Sequence, residues 1–132
     1  MASYLWIAIG GALGSVARYW CAVVAARLFG EAFPWGTLIV NIVGSFIIGF
    51  FATLTGPDGR FVAGTLVRQF VMVGICGGYT TFSAFSLQTL DLIQDGEWLR
   101  AGGNMVGSVV FCLIAVWLGH VAAAGINTMK WT

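Results

Sequence analysis

The chain has 132 residues, of which 59% are hydrophobic and only 8% are charged, with a formal net charge of +1. Soluble domains carry about a quarter of charged residues, so this composition excludes a soluble fold, and no nucleic-acid partner is expected. Four apolar segments each exceed the roughly 20 residues that a membrane-spanning helix needs. The sequence therefore predicts an all-α integral membrane protein, with residues 1–132 forming a single transmembrane domain of four helices.

The first predicted helix covers residues 4–28 and contains one internal charge, Arg18. Its Gly10 and Gly14 form a small-xxx-small pair, which lets two helix backbones approach closely. A charge inside a span is costly and therefore a candidate for function, although the long side chain also has the alternative of snorkelling to the interface. Because the segment lacks a basic n-region and a cleavage pattern, we expect a mature helix rather than a signal peptide.

The second predicted helix covers residues 35–55 and carries a polar stripe. Thr37, Asn41 and Ser45 follow each other at four-residue spacing, so they share one face of the helix. One interpretation is hydrogen bonding between helices. The other is a row of neutral donors along a conduit, in which Asn41 is the stronger candidate because its amide has two N–H groups.

The third predicted helix covers residues 61–92, with a central break near Gly77 and Gly78. Lipid offers no hydrogen bonds to broken backbone, so the hydroxyl-rich sequence around this break is expected to face protein, water or an ion. Freed carbonyl oxygens there would be hard ligands for a small cation such as Na⁺, unless the glycines only form a packing kink. Phe82 and Phe85 follow; they either face lipid or present the positive edges of their rings to an anion.

The fourth predicted helix covers residues 98–125 and repeats the polar stripe with Asn104, Ser108 and Cys112. Two such stripes together with a broken helix favour a shared polar path. No Asp or Glu lies in the core of any predicted span, although proton-coupled transporters usually need one. Nucleophile–base pairs, nucleotide-binding loops and metal clusters are missing as well, so we predict no enzymatic activity.

Lysine and arginine are almost equally divided between the two predicted membrane faces. Arg60, Arg68 and Lys130 belong to one side, and Arg27 and Arg100 belong to the other. Orientation normally follows an excess of these residues on the cytoplasmic side. The sequence therefore predicts insertion in both orientations, which would allow an antiparallel homodimer.

Over essentially the whole chain, the sequence resembles the Fluc (CrcB) family of fluoride channels. The specific match is the third-helix motif Gly77-Gly78-Tyr79-Thr80-Thr81-Phe82-Ser83 through Phe85. Supporting matches are Gly36-Thr37-Leu38 through Asn41 and Gly44 in the second helix, and Gly10-Gly11 through Gly14 and Arg18 in the first. Two positions depart from the family pattern: Ala84, where Thr or Ser is common, and Asn104, where a larger hydroxyl residue is expected.

The resemblance implies a passive, fluoride-selective channel in the bacterial plasma (inner) membrane. It implies a dual-topology antiparallel homodimer with two pores, and a structural Na⁺ at the dimer centre held by the backbone carbonyls of Gly77 and Thr80. The expected fluoride path consists of Asn41, Phe82, Phe85, Ser108, Cys112, Thr37 and Ser83. Arg18 is expected near the aqueous vestibule.

Two other classes of function remain open on the residues alone. A small multidrug-resistance-type, proton-coupled exporter shares the size, the four helices and the dual topology. It would require a membrane-embedded glutamate in the first span, and residues 4–29 contain no Asp or Glu. The other alternative is a non-transporting membrane assembly protein, in which the polar stripes only hold helices together.

Overall fold

A computed structural model describes residues 1–129, and all regular structure in this part of the chain is helical. Four of its helical segments are long and apolar enough to cross a membrane. The prediction of an all-helical, multi-pass membrane protein with four spans is therefore confirmed. The first two spans are α1, Ala2–Phe29, and α2, Trp35–Leu54. Lys130, which entered the charge balance, lies outside the described residues.

The third span, Thr65–Gln94, is divided into four segments, whereas the fourth is one continuous helix. The segments of the third span are α3 (Thr65–Arg68), a π-helix (Gln69–Cys76), α4 (Gly77–Tyr79) and α5 (Phe82–Gln94). The fourth span is α6, Trp98–Thr128, which continues beyond the predicted end at residue 125.

The third span begins at Thr65, not at Phe61 as the sequence predicted. The preceding backbone folds back on the end of α2 instead. The amide of Phe61 donates to the carbonyl of Leu54 at 3.2 Å, and the amide of Ala63 donates to the carbonyl of Thr55 at 3.3 Å. Because these bonds already satisfy the backbone groups of the turn, the helix starts only after them.

The helix continues through Gly77 and Gly78, where the sequence predicted a break. Gly77 has helical angles of φ −64° and ψ −37°, and both glycines precede the end of α4. Extended backbone occurs instead at Thr80 and Thr81, with ψ of 158° and 116°. We call these two residues the interruption. The glycine at position 78 is required for packing, since a Cβ there would lie 2.5 Å from the carbonyl oxygen of Gly11.

Glycines allow close packing within two pairs of spans, α1 with the third span and α2 with α6. On one side, α1 contacts the third span: a Cβ on Gly10 would lie 2.6 Å from the carbonyl oxygen of Phe70, and a Cβ on Gly14 would collide with that of Ile75. This contact confirms the packing role predicted for the small-xxx-small pair. On the other side, α2 and α6 meet at Gly49 and Gly119, where a Cβ would collide with carbonyl oxygens of the neighbouring helix.

Candidate functional site

A cavity of about 410 Å³ lies between α2, the third span and α6. We call it the inner cavity. Seven of the residues predicted for the ion path and the cation site line it: Asn41, Gly77, Thr80, Phe82, Phe85, Ser108 and Cys112. Ser45 of the α2 stripe lines it too, so two residues of each polar stripe face a shared space.

A second cavity, of about 510 Å³, opens where the α1–α2 and α5–α6 loops meet. We call it the mouth cavity. Thr37 lines the mouth cavity rather than the inner one, so the α2 stripe passes from one cavity to the other. Five charged side chains also line it: Glu31, Asp91, Asp95, Glu97 and Arg100.

Gln88 is a mouth residue that the sequence analysis did not single out. It lines the mouth cavity, and its Oε1 is buried without a hydrogen-bond partner among residues 1–129. The signal in the sequence was its position three residues after Phe85, which places the two on neighbouring turns of one helix face. An amide at this point adds a further neutral polar group between the mouth and the inner cavity.

Two predicted site residues, Ser83 and Arg18, line neither of these cavities. The hydroxyl of Ser83 lies 3.3 Å from the hydroxyl of Thr81, on the exposed start of α5. Arg18 donates from Nε to the carbonyl oxygen of Gly78 at 3.1 Å. Ser83 is therefore hydrogen-bonded to the interruption itself, and Arg18 is hydrogen-bonded to the last helical turn before it.

Asn41 holds the interrupted backbone with both ends of its amide. Its Nδ2 donates to the carbonyl oxygen of Thr81 at 3.1 Å, and the amide of Thr81 donates to its Oδ1 at 2.8 Å. This pair satisfies an extended residue that has left the helical hydrogen-bond pattern. The second N–H of Nδ2 makes no hydrogen bond to the described residues. Asn41 thus has a structural task that its stripe position alone did not predict.

The interruption also takes the regular donors away from two carbonyl groups. In a continuous helix, the amides of Thr81 and Ala84 would donate to the carbonyls of Gly77 and Thr80. Here the amide of Thr81 donates to Asn41 at 2.8 Å, and the amide of Ala84 donates to the hydroxyl of Thr81 at 3.1 Å. The carbonyls of Gly77 and Thr80, which the resemblance implies as cation ligands, are therefore among those that lose their helical donors.

The donor set at this point fits a hard monovalent cation better than a transition metal. Neutral carbonyl oxygens suit ions such as Na⁺, whereas softer metals prefer thiolate or imidazole ligands. In residues 1–129 no group of three or more His, Cys, Asp or Glu side chains could hold a metal. A cation here would depend on the carbonyl oxygens of Gly77 and Thr80.

Asn104, one of the two departures from the family pattern, is buried to 1% exposure and does not line the inner cavity. Its Nδ2 donates to the hydroxyl of Thr89 at 3.0 Å, and the hydroxyl of Ser108 donates to its Oδ1 at 3.4 Å. Thr89 in turn donates to the carbonyl of Phe85 at 2.7 Å. This chain of bonds fastens α5 to α6 beside the inner cavity.

The rings of Phe82 and Phe85 form part of the wall of the inner cavity. Their centroids are 5.4 Å apart and their planes are inclined by 50°. Phe82 is 77% exposed in the single chain, whereas Phe85 is half-buried. The pair therefore contacts the polar cavity, and much of the Phe82 ring is also left for lipid or a second chain.

No formally charged side chain lines the inner cavity. Its polar groups are an amide, hydroxyls, thiols and backbone, which are neutral. Such groups can replace part of the hydration shell of a small ion without holding it through a full opposite charge. The arrangement suits transient binding of an ion in transit, and it contains no pair of groups for making or breaking covalent bonds.

Fold and site together define a multi-pass helical membrane protein with a neutral polar cavity between its spans. A family model described as "CrcB-like protein, Camphor Resistance (CrcB)" matches residues 5–120. The chain therefore belongs to the CrcB family, which confirms the family predicted from the motifs.

Named relatives in this family are close to the chain over almost their full lengths. A protein of Opitutus terrae named fluoride-specific ion channel FluC is 65% identical over 130 residues, which cover 98% of each chain. Relatives of the same name from Methylocella silvestris and Rhodospirillum rubrum are 62% and 64% identical, covering 96% and 95% of this chain and 97% of their own. The family is one of ion channels rather than enzymes, which confirms the prediction that this chain is not an enzyme.

Proposed function

We propose that this chain is a fluoride-selective channel that exports fluoride passively across the bacterial plasma (inner) membrane. The observation that carries the proposal is the inner cavity, where the neutral polar groups of Asn41 and Ser108 and the rings of Phe82 and Phe85 share one uncharged space. Fluoride is small and strongly hydrated, so its path must supply close donors and still release the ion quickly. The name of the relative that is 65% identical supports fluoride as the ion.

The proposed path follows the α2 stripe from the mouth cavity inward. Fluoride would pass Thr37, reach the remaining N–H of Asn41, and continue between the phenylalanine rings and the α6 stripe. On α6, Ser108 and Cys112 would complete the path. Ser83 remains a candidate because its hydroxyl lies at the start of α5, next to Thr81.

We infer that the working unit is an antiparallel homodimer with two pores. The distribution of charge supports this arrangement. The end of the molecule with the mouth cavity carries two arginines, Arg27 and Arg100, and four carboxylates, Glu31, Asp91, Asp95 and Glu97. Among residues 1–129, the opposite end carries Arg60 and Arg68 against Asp58. An antiparallel partner would place the acidic end of one copy beside the basic end of the other, whereas a parallel partner would place like charges together.

We also propose that a structural Na⁺ binds at the centre of this dimer. The support is that the carbonyls of Gly77 and Thr80 have lost their helical donors. Two carbonyls are few for a cation in a membrane, so the same pair from the second copy would complete the ligand set. When bound, the ion would supply positive charge to these oxygens, whose partial negative charges are otherwise left unpaired.

Liposomes that contain the purified protein test the proposed function. After loading with potassium fluoride, addition of a potassium ionophore should release fluoride rapidly, while chloride-loaded vesicles should stay full. Efflux that requires a proton gradient would support the exporter instead. A well-folded protein without any fluoride flux would support the assembly role and contradict the channel.

A further inference from the structure

Arg18 is a charged side chain deep in a span, and it lines neither the inner cavity nor the mouth cavity. It lies 11 residues before Phe29, the end of α1, which is about 16 Å along the helix. A guanidinium at this depth needs polar partners within the protein. Its Nε donates to the carbonyl oxygen of Gly78 at 3.1 Å, so the partner is backbone of the third span.

Gly78 lies within the last turn before the interruption. The carbonyls of a final helical turn lack intrahelical donors and carry partial negative charge. A cationic donor at this end of α4 therefore satisfies one such carbonyl. In sequence, Gly78 stands between Gly77 and Thr80, the two residues whose carbonyls we assign to the Na⁺ site.

The same face of α1 follows the third span up to the interruption. Gly78 packs closely against the backbone of Gly11, and a Cβ on Gly78 would lie 2.5 Å from the Gly11 carbonyl oxygen. Three residues after Arg18, the thiol of Cys21 lies 3.3 Å from the hydroxyl of Tyr79. From the other side, Asn41 of α2 holds Thr81. Residues 78–81 of the third span are therefore held by α1 and by α2.

We propose that Arg18 is a positioning residue for the Na⁺ site. Its Nε–H holds the carbonyl of Gly78 towards α1, which keeps the last turn of α4 in place and leaves the carbonyls of Gly77 and Thr80 to the cation. The inference rests on the Na⁺ site of the proposed function. It assigns Arg18 a role through the backbone of the third span, whereas the resemblance implied only a position near the aqueous vestibule.

Three substitutions separate the donor of Arg18 from its charge. In Arg18→Gln, Nε2 occupies the place in the side chain that Nε has in arginine, so the donor stays and the charge is lost. In Arg18→Lys, a methylene occupies that place, so the charge stays and the donor is lost there. Arg18→Met has neither the donor nor the charge.

Two measurements on each variant follow sodium directly. The first is the rise in melting temperature of the purified protein when sodium chloride replaces choline chloride, which does not depend on transport. The second is the sodium concentration that gives half-maximal fluoride efflux from liposomes. If the donor positions the site, Gln should keep a wild-type response to sodium, while Lys and Met should need about tenfold more of it, as expected for the loss of one hydrogen bond.

The opposite pattern, with Lys like wild type and Gln like Met, would overturn the inference, since the charge would then be the acting feature. Wild-type responses in all three variants would overturn it as well. If Arg18→Met does not fold, the comparison of Gln with Lys still decides. Fluoride efflux by the wild type without any response to sodium would contradict the inference and leave the channel standing. A sodium response with the expected order of variants, but without fluoride efflux, would contradict the channel alone.

Discussion

The inner cavity and the mouth cavity differ sharply in charge, although α2 and α5 contribute to both. Five charged side chains line the mouth, whereas none lines the inner cavity. At the mouth, water screens charges and makes them inexpensive, but within the membrane a charge costs several times more. The deep part of the proposed path must therefore depend on neutral donors, and Asn41 shows that such a donor also satisfies interrupted backbone.

The largest effect is expected from a charge placed in the neutral cavity. Asn41→Asp removes the donor to the Thr81 carbonyl and puts a carboxylate beside that oxygen. We expect fluoride efflux to fall about a hundredfold, which corresponds to about 3 kcal/mol for a lost donor and an unfavourable charge. Efflux from liposomes measures it. Gln88→Glu, which adds a carboxylate to the mouth cavity, is the matched control and should change efflux far less.

Wild-type efflux in Asn41→Asp, at a pH where the new carboxylate is shown to be ionised, would contradict the path through Asn41. If Gln88→Glu reduced fluoride efflux as much as Asn41→Asp, the inner cavity would be no more sensitive to an added charge than the mouth cavity.

A smaller effect is expected from removing ring edges at the inner cavity. Phe82→Ile and Phe85→Ile keep apolar volume but lose the positive ring edge. Each should reduce fluoride efflux about tenfold, the scale of one lost aromatic contact of about 1.5 kcal/mol, while the protein elutes as before in size-exclusion chromatography. Phe50→Ile is the control, because Phe50 stacks on Phe46 at 6.2 Å and lines neither cavity. Unchanged efflux in both cavity variants would refute the ring-edge role.

Asn104→Leu should affect stability more than transport. The change leaves the hydroxyls of Thr89 and Ser108 without their amide partner, so we expect a loss of about 1 kcal/mol in the free energy of unfolding. Denaturation of the purified protein in detergent measures this loss. Asn104→Ser, which supplies a hydroxyl in place of the amide, should lose less. A leucine variant as stable as wild type would show that the chain of bonds between α5 and α6 carries no stability.

The smallest effect is expected at the mouth. Neutralising two carboxylates in Asp95→Asn with Glu97→Gln should raise fluoride efflux at low ionic strength by at most about threefold, and about 1 M salt should abolish the gain because it shortens the screening length to about 3 Å. Glu97 lies 3.7 Å from Arg100, so its loss also exposes a positive charge. Asp58→Asn at the opposite end is the control. Reduced efflux in the double variant would contradict an acidic mouth that repels anions.

Much of the site was predictable from spacing within single helices. Stripes such as Thr37, Asn41 and Ser45 follow from helical periodicity, which is a local property of the chain. Two of these residues reach the inner cavity, and Thr37 reaches the mouth. That division depends on how α2 crosses its neighbours, which the spacing of one helix does not contain. The same holds for Gln88, whose surroundings come from α1, α2 and the loops.

By itself, the sequence determined the four spans, the absence of carboxylates from their cores and the family, because hydropathy, length and motif order are carried by neighbouring residues. Only the tertiary structure decided where the third span is interrupted. The two glycines of the motif stay helical because Gly78 is needed for contact with α1. Thr80 and Thr81 leave the helix because Asn41 and the Thr81 hydroxyl replace the lost hydrogen bonds. Such replacement depends on α2, which is distant in sequence and adjacent only in the fold.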